Sequence, residues 1–77
     1  MSETNLKYRR RASGLTQAEL SAKARISLRT LQYYEQGALD INKAATATVY
    51  RLALVLGCTV EDLLELSVIM DDIEAEA

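Results

Sequence analysis

Histidine is absent from this chain and cysteine occurs once. Zinc ligand sets, Ser-His and Cys-His dyads and disulfide frameworks therefore have no residues to be built from. No set of nucleophile, base and oxyanion donor can be assembled from what remains, so neither an enzyme nor a metal or other cofactor is expected. The lone Cys58, beside Gly57, reads as a small buried apolar side chain in a reducing compartment. Proline is also missing, there are only three glycines, and β-branched residues alternate over no more than a few positions. Those absences leave helices joined by short turns. No run approaches the roughly 18 apolar residues of a membrane span. The N-terminus lacks the apolar region of a signal peptide, so a cytoplasmic protein without a membrane partner is expected. No internal repeat or low-complexity segment is present.

What the chain does contain is enough for one core. A length of 77 residues sits well below the size at which a second core forms. With 49% apolar and 26% charged residues the balance is that of a soluble globular domain. Nine Lys and Arg stand against eleven Asp and Glu, a formal net charge of −2 that argues mildly against a nucleic-acid partner. Position changes that inference. Residues 1–43 hold eight basic and four acidic side chains, net +4, whereas residues 44–77 hold only Arg51 against seven carboxylates, net −6. Such asymmetry suggests a basic part that meets a polyanion and an acidic part with another task; the plain alternative is two solvated faces.

Five helices can be drawn. The first runs from about Thr4, a plausible N-cap, to Ser13, with Leu6 and Ala12 inward and Gly14 as its stop. The second opens on Thr16-Gln17-Ala18-Glu19, a capping-box pattern, and runs to about Ala24 with Ala18, Leu20 and Ala24 as small apolar contacts. The third starts after Ser27 and stops at Gly37; Leu31, Tyr34 and Leu28 share its inner face, leaving Arg29, Thr30, Gln32 and Tyr33 on the others. A loop through Leu39 and Ile41 leads to a fourth helix from Lys43 or Ala44 to Leu56, with an apolar stripe of Ala45, Val49, Leu52, Ala53 and Leu56. The fifth begins at Thr59, with a cap signature through Asp62, and buries Val60, Leu63 and Leu64.

Two short helices joined by a tight turn, the second opened by a capping Ser, form a helix-turn-helix candidate at residues 17–35, an arrangement that also occurs as plain packing. Its wording is more specific. Gly14-Leu15-Thr16-Gln17-Ala18-Glu19-Leu20, then Ile26-Ser27 and Tyr34-Glu35-Gln36-Gly37, resembles the Cro and phage-repressor (XRE) family of helix-turn-helix domains. The likeness continues through residues 51–64 and covers about residues 4–66. It implies a compact all-α five-helix bundle of the phage-repressor type, with the helix-turn-helix at helices 2 and 3, that binds double-stranded DNA.

The resemblance also implies roles for particular residues. Family members place a phosphate-binding Gln at the start of the second helix, where Gln17 stands; a helix N-terminus is itself an anion site. The third helix would lie in the major groove. Ser27, Leu28, Arg29, Thr30, Gln32 and Tyr33 occupy its base-contacting positions. A guanidinium such as that of Arg29 can bond guanine O6 and N7 together, or clamp a phosphate instead. Arg9, Arg11, Gln36 and Lys43 are candidate phosphate contacts, which fix register without reading sequence. Arg10 and Glu35 stand where the family has an ion pair linking the first and third helices. Two residues depart from the pattern: Arg25 holds a turn position often given to Gly and is expected either to accept a left-handed conformation or to mark a different turn, and Tyr34 replaces the usual Trp.

A single such domain touches few base pairs, so a homodimer on paired half-sites is expected. The chain divides into a DNA-binding domain, residues 1–66, and an acidic tail, residues 67–77, as a dimerisation or partner-binding segment. Leu63, Leu66, Met70, Ile73 and Ala77 would form a narrow seam on a prolonged fifth helix, while Ser67 and Val68-Ile69-Met70 would permit a short strand. Two functions follow: a sequence-specific transcriptional regulator occupying an operator, or an antitoxin-like module whose tail binds a partner protein while the domain autoregulates.

Overall fold

A computed structural model describes residues 3–67, 70 and 73, and these contain five α-helices, one 3₁₀ turn and no strand. Helix α1 spans Asn5–Ala12, α2 Gln17–Ala24, α3 Leu28–Gln36, α4 Thr46–Leu56 and α5 Val60–Leu63, with the 3₁₀ turn at Ile41–Lys43 between α3 and α4. The all-α, five-helix expectation holds.

Local chemistry sets most of the boundaries. The hydroxyl oxygens of Thr4, Thr16, Ser27 and Thr59 each accept an amide of the first turn that would otherwise lack a partner. In α2 the Glu19 carboxylate returns the bond, accepting from Thr16 N at 2.9 Å, and in α5 Asp62 does the same for Thr59 N at 3.0 Å. Those backbone amides hold both carboxyls below their ordinary pKa range. Gly37 and Gly57 close α3 and α4 in the left-handed region, where a Cβ would be strained.

Arg25 takes that same conformation, with φ 59°, at the C-terminus of α2. A side chain there costs about 1 kcal/mol relative to glycine. Arg25→Gly is therefore expected to stabilise the fold by about that amount, raising Tm by about 4–8 °C. A thermal melt followed by circular dichroism checks it, and an unchanged or lower Tm would refute the strain.

The core consists of Leu6, Leu20, Ala24, Leu31, Ile41, Val49, Leu52, Ala53 and Leu63, each nearly withdrawn from solvent. Helix α2 packs on both α3 and α4, while α5 bridges α4 and α1. Several inward assignments are corrected. Ala12, Ala18 and Ala45 are exposed, and Leu28 is 41% exposed. A short helix with one or two apolar residues has too little periodicity to orient it, and a methyl group gains little from burial. Helix α4 also starts later than expected, because Asp40 accepts from Asn42 N and caps a separate 3₁₀ turn. Cys58 is half-buried, and that burial pushes its thiol pKa up.

The fifth helix is not prolonged. It ends at Leu63, Leu64 is extended, and Leu63 itself is fully in the core and so not part of an exposed seam. Two asparagines fix the break. Asn5 Nδ2 donates to Leu64 O at 2.8 Å and to Glu65 Oε2 at 2.7 Å. Asn42 brackets the Glu65 peptide, donating to its carbonyl at 3.1 Å and accepting from its amide at 2.9 Å. Beyond it Leu66, Ser67, Met70 and Ile73 are helical, which replaces the strand alternative at Ser67 and Met70; Val68, Ile69 and Ala77 lie outside the described residues.

Candidate nucleic-acid interface

Helices α2 and α3 are joined through Arg25, Ile26 and Ser27. The left-handed Arg25 turns the chain, half-buried Ile26 packs against the core, and Arg51 Nε reaches from α4 to bond Ala24 O at 2.9 Å, satisfying a carbonyl at the end of α2. These contacts hold α3 across α2.

At 100° per residue, Leu28, Gln32, Gln36, Arg29 and Tyr33 fall within an arc of about 140° on α3; buried Glu35 borders that arc beside Leu28, and buried Leu31 lies about 40° further round toward the core. Within that arc Arg29 Nε donates to the Tyr33 hydroxyl at 2.8 Å, and the guanidinium lies 5.5 Å from the ring centroid. This i,i+4 contact restrains the side chain while leaving the two terminal nitrogens as a donor pair. Ser27 is occupied as a cap: its hydroxyl accepts from Thr30 N at 3.0 Å and donates to Thr30 Oγ1 at 2.7 Å.

Behind this face sits an ion pair. Arg10 Nε lies 2.7 Å from Glu35 Oε2 and Arg10 Nη2 lies 3.1 Å from Oε1, a bidentate grip from α1 onto α3. The Glu35 side chain is 1% exposed and that of Arg10 13%. Arg10 Nη1 also donates to Leu15 O, so one guanidinium joins α1, α3 and the approach to α2. The amide of Gln17, at the start of α2, donates to Glu35 Oε1 at 3.1 Å and accepts from Gln32 Nε2 at 3.3 Å.

Residues 6–63 match the helix-turn-helix family in its Cro and phage-repressor form. The chain belongs to that XRE-type helix-turn-helix family. The match covers all five helices except Asn5 at the start of α1, and the family's domain is a DNA-binding regulatory unit. No curated protein and no solved structure matches the chain.

The remaining candidate residues of this helix-turn-helix protein are dispersed. Gln36 is exposed at the C-terminal end of α3, and Lys43 is exposed on the 3₁₀ turn. Arg9 lies 3.4 Å from Asp62 at the start of α5, and Arg11 lies 2.8 Å from Glu3 before α1. Both arginines thus face carboxylates, with which a phosphate would have to compete. The Gln17–Glu35 and Gln17–Gln32 contacts were not foreseen, since they join residues 18 and 15 apart and leave no trace in local spacing. Among the described residues, no helix is long and apolar enough to cross a membrane.

Proposed function

We propose that this protein is a cytoplasmic, sequence-specific transcriptional regulator that occupies an operator as a homodimer, with α3 in the major groove of double-stranded DNA. The outward arc of α3, with Arg29 restrained by Tyr33 and set against the Gln17 end of α2, carries this reading. Leu28, Arg29, Thr30, Gln32 and Tyr33 face base edges, with Ser27 opening the helix beside them. Gln17, Gln36, Lys43, Arg9 and Arg11 contact phosphates, the two arginines by exchanging their carboxylate partners. Selection from a random DNA pool tests the reading by returning half-site sequence, spacing and symmetry together. A pool from which nothing is enriched would sink it.

Arg29→Ala is expected to relax preference at one base position by about tenfold, consistent with a guanidinium reading guanine O6 and N7. Lys43→Ala is expected instead to weaken binding evenly across sequences and to reduce the salt slope by about one. Quantitative binding to the selected site and its single-base variants, at several salt concentrations, separates the two. If Arg29→Ala weakened all sequences equally, that residue would be a phosphate clamp.

The tail supports a second reading. Leu66, Met70 and Ile73 are about half exposed at four- and three-residue helical steps, in a stretch rich in carboxylates. An unpaired apolar stripe of this kind suits a two-fold copy or, in the antitoxin-like alternative, a partner protein. Mass measurement in solution with and without residues 67–77 decides whether the tail holds a dimer.

A further inference from the structure

Helix α4 is apolar on two sides. Val49, Leu52 and Ala53 are buried in the core, while Tyr50 and Leu54 are 55% and 62% exposed on the outer side, with exposed Ala47 beside them. At 100° per residue these three outer residues lie within an arc of about 60°, at the three- and four-residue steps of a contact seam. An ordinary surface helix carries charged and polar residues on its outer face. Residues 44–60 hold a single charge, that of Arg51, and Arg51 Nε donates to Ala24 O on α2 at 2.9 Å. The outer face of α4 is therefore an uncharged apolar patch with an aromatic side chain in its middle turn, the composition found at the core of an interface.

Charge selects the occupant. A two-fold contact uses the same patch on both copies, so a charge near the axis meets its like. Other exposed apolar side chains fail that condition. Tyr8 stands between Lys7 and Arg9 in the chain, Leu39 precedes Asp40, and Leu66, Met70 and Ile73 belong to the stretch that holds Glu65, Asp71 and Asp72. A partner of different chemistry would be steered by opposite charge, which the α4 patch does not offer. We infer that two copies of this chain pair through the outer face of α4, with Tyr50, Leu54 and Ala47 at the contact. Helix α3 packs on α1 and α2, and α4 on α2 and α5, so this pairing uses none of the reading arc. The patch is small, in the class of transient interfaces that bury less than about 1,200 Å² in all, and the pairing is accordingly weak and reversible in free solution.

The inference rests on the homodimer of the function proposed above and names its surface; the test uses the full chain without DNA, so that the two can fail separately. Sedimentation equilibrium between about 10 μM and about 1 mM is expected to show wild type passing reversibly from monomer to dimer. Leu54→Lys places a cation on the patch of each copy and is expected to weaken pairing by at least about tenfold, whereas Met70→Lys in the tail should leave it within about twofold. Because Leu54 is exposed, the melt of Leu54→Lys in dilute solution should match that of wild type. Amide shifts of wild type, followed by NMR across the same concentrations, need no variant and are expected to move at Ala47, Tyr50 and Leu54. A dimer that Leu54→Lys leaves intact, or shifts confined to the tail, would overturn the α4 surface while the homodimer stands. A wild type still monomeric at about 1 mM would overturn both, and enrichment from the random DNA pool would then establish operator reading without them.

Discussion

Arg10→Ala is expected to lower stability by about 3–5 kcal/mol, because it leaves the Glu35 carboxylate buried with a single neutral donor. The side chain of Glu35 is 1% exposed and two of its three donors are guanidinium nitrogens, so water cannot take their place without opening the packing between α1 and α3. Folded domains are stable by about 0.05–0.15 kcal/mol per residue, which makes such a loss a large part of the total for a chain this short. Glu35→Ala should lose a comparable amount from the other side, freeing the Arg10 guanidinium and the Gln17 amide at once. The double variant Arg10→Met with Glu35→Met removes both charges and is expected to recover much of the single-variant loss, since well-packed apolar pairs often equal buried ion pairs in stability. Urea denaturation followed by circular dichroism measures all three. A single-variant loss under about 1 kcal/mol, within the range of an exposed pair, would show that solvent reaches the carboxylate.

The same pair shows how far local sequence reaches. Caps were legible because they need only four consecutive residues: Thr16 to Glu19 and Thr59 to Asp62 each contain both halves of their boxes. Left-handed Arg25 was legible only as one of two options, from its place in a turn that usually holds glycine. The start of α4 was misjudged because Asp40 competes for the chain with a separate turn. The asparagines that end α5 were invisible, since Asn5 meets Leu64 and Asn42 meets Glu65 from 59 and 23 residues away.

In the candidate interface, residue types were legible from the resemblance but their couplings were not. Spacing places Arg29, Gln32 and Tyr33 outward. The i,i+4 spacing of Arg29 and Tyr33 permits their contact, but spacing does not reveal that Gln17 engages Gln32, which depends on where α2 crosses α3. Nor does it reveal that Arg9 and Arg11 meet Asp62 and Glu3. The eight basic side chains on residues 1–43 therefore overstate the cations open to a phosphate, since Arg10 is held by Glu35 and since Arg9 and Arg11 have carboxylate partners of their own. DNA binding by these arginines requires exchange of one anion for another, which makes them weaker contributors to affinity than a bare count of cations implies.

Leu31→Ala is the second large effect, expected to cost about 2–5 kcal/mol from lost burial and the cavity left behind. Leu31 is fully buried on the inner side of α3, one turn before Glu35, and helps bring the recognition helix to the core. It has a rigid environment: Leu20, Ala24 and Leu52 belong to the same core and are also nearly or fully buried, so little is free to collapse into the space. Leu31→Met conserves most of the volume and should cost less than about 1.5 kcal/mol. The two substitutions thus separate filling from chemistry. Because Leu31 points away from the outward arc, neither should change which sequence is preferred; affinity should fall only with the fraction folded. Denaturation curves give the stability loss, and DNA binding below the variant's own Tm gives the preference. A Leu31→Ala protein that folds but selects different bases would mean that α3 tilts when its inner contact is removed, placing Leu31 among the determinants of docking angle.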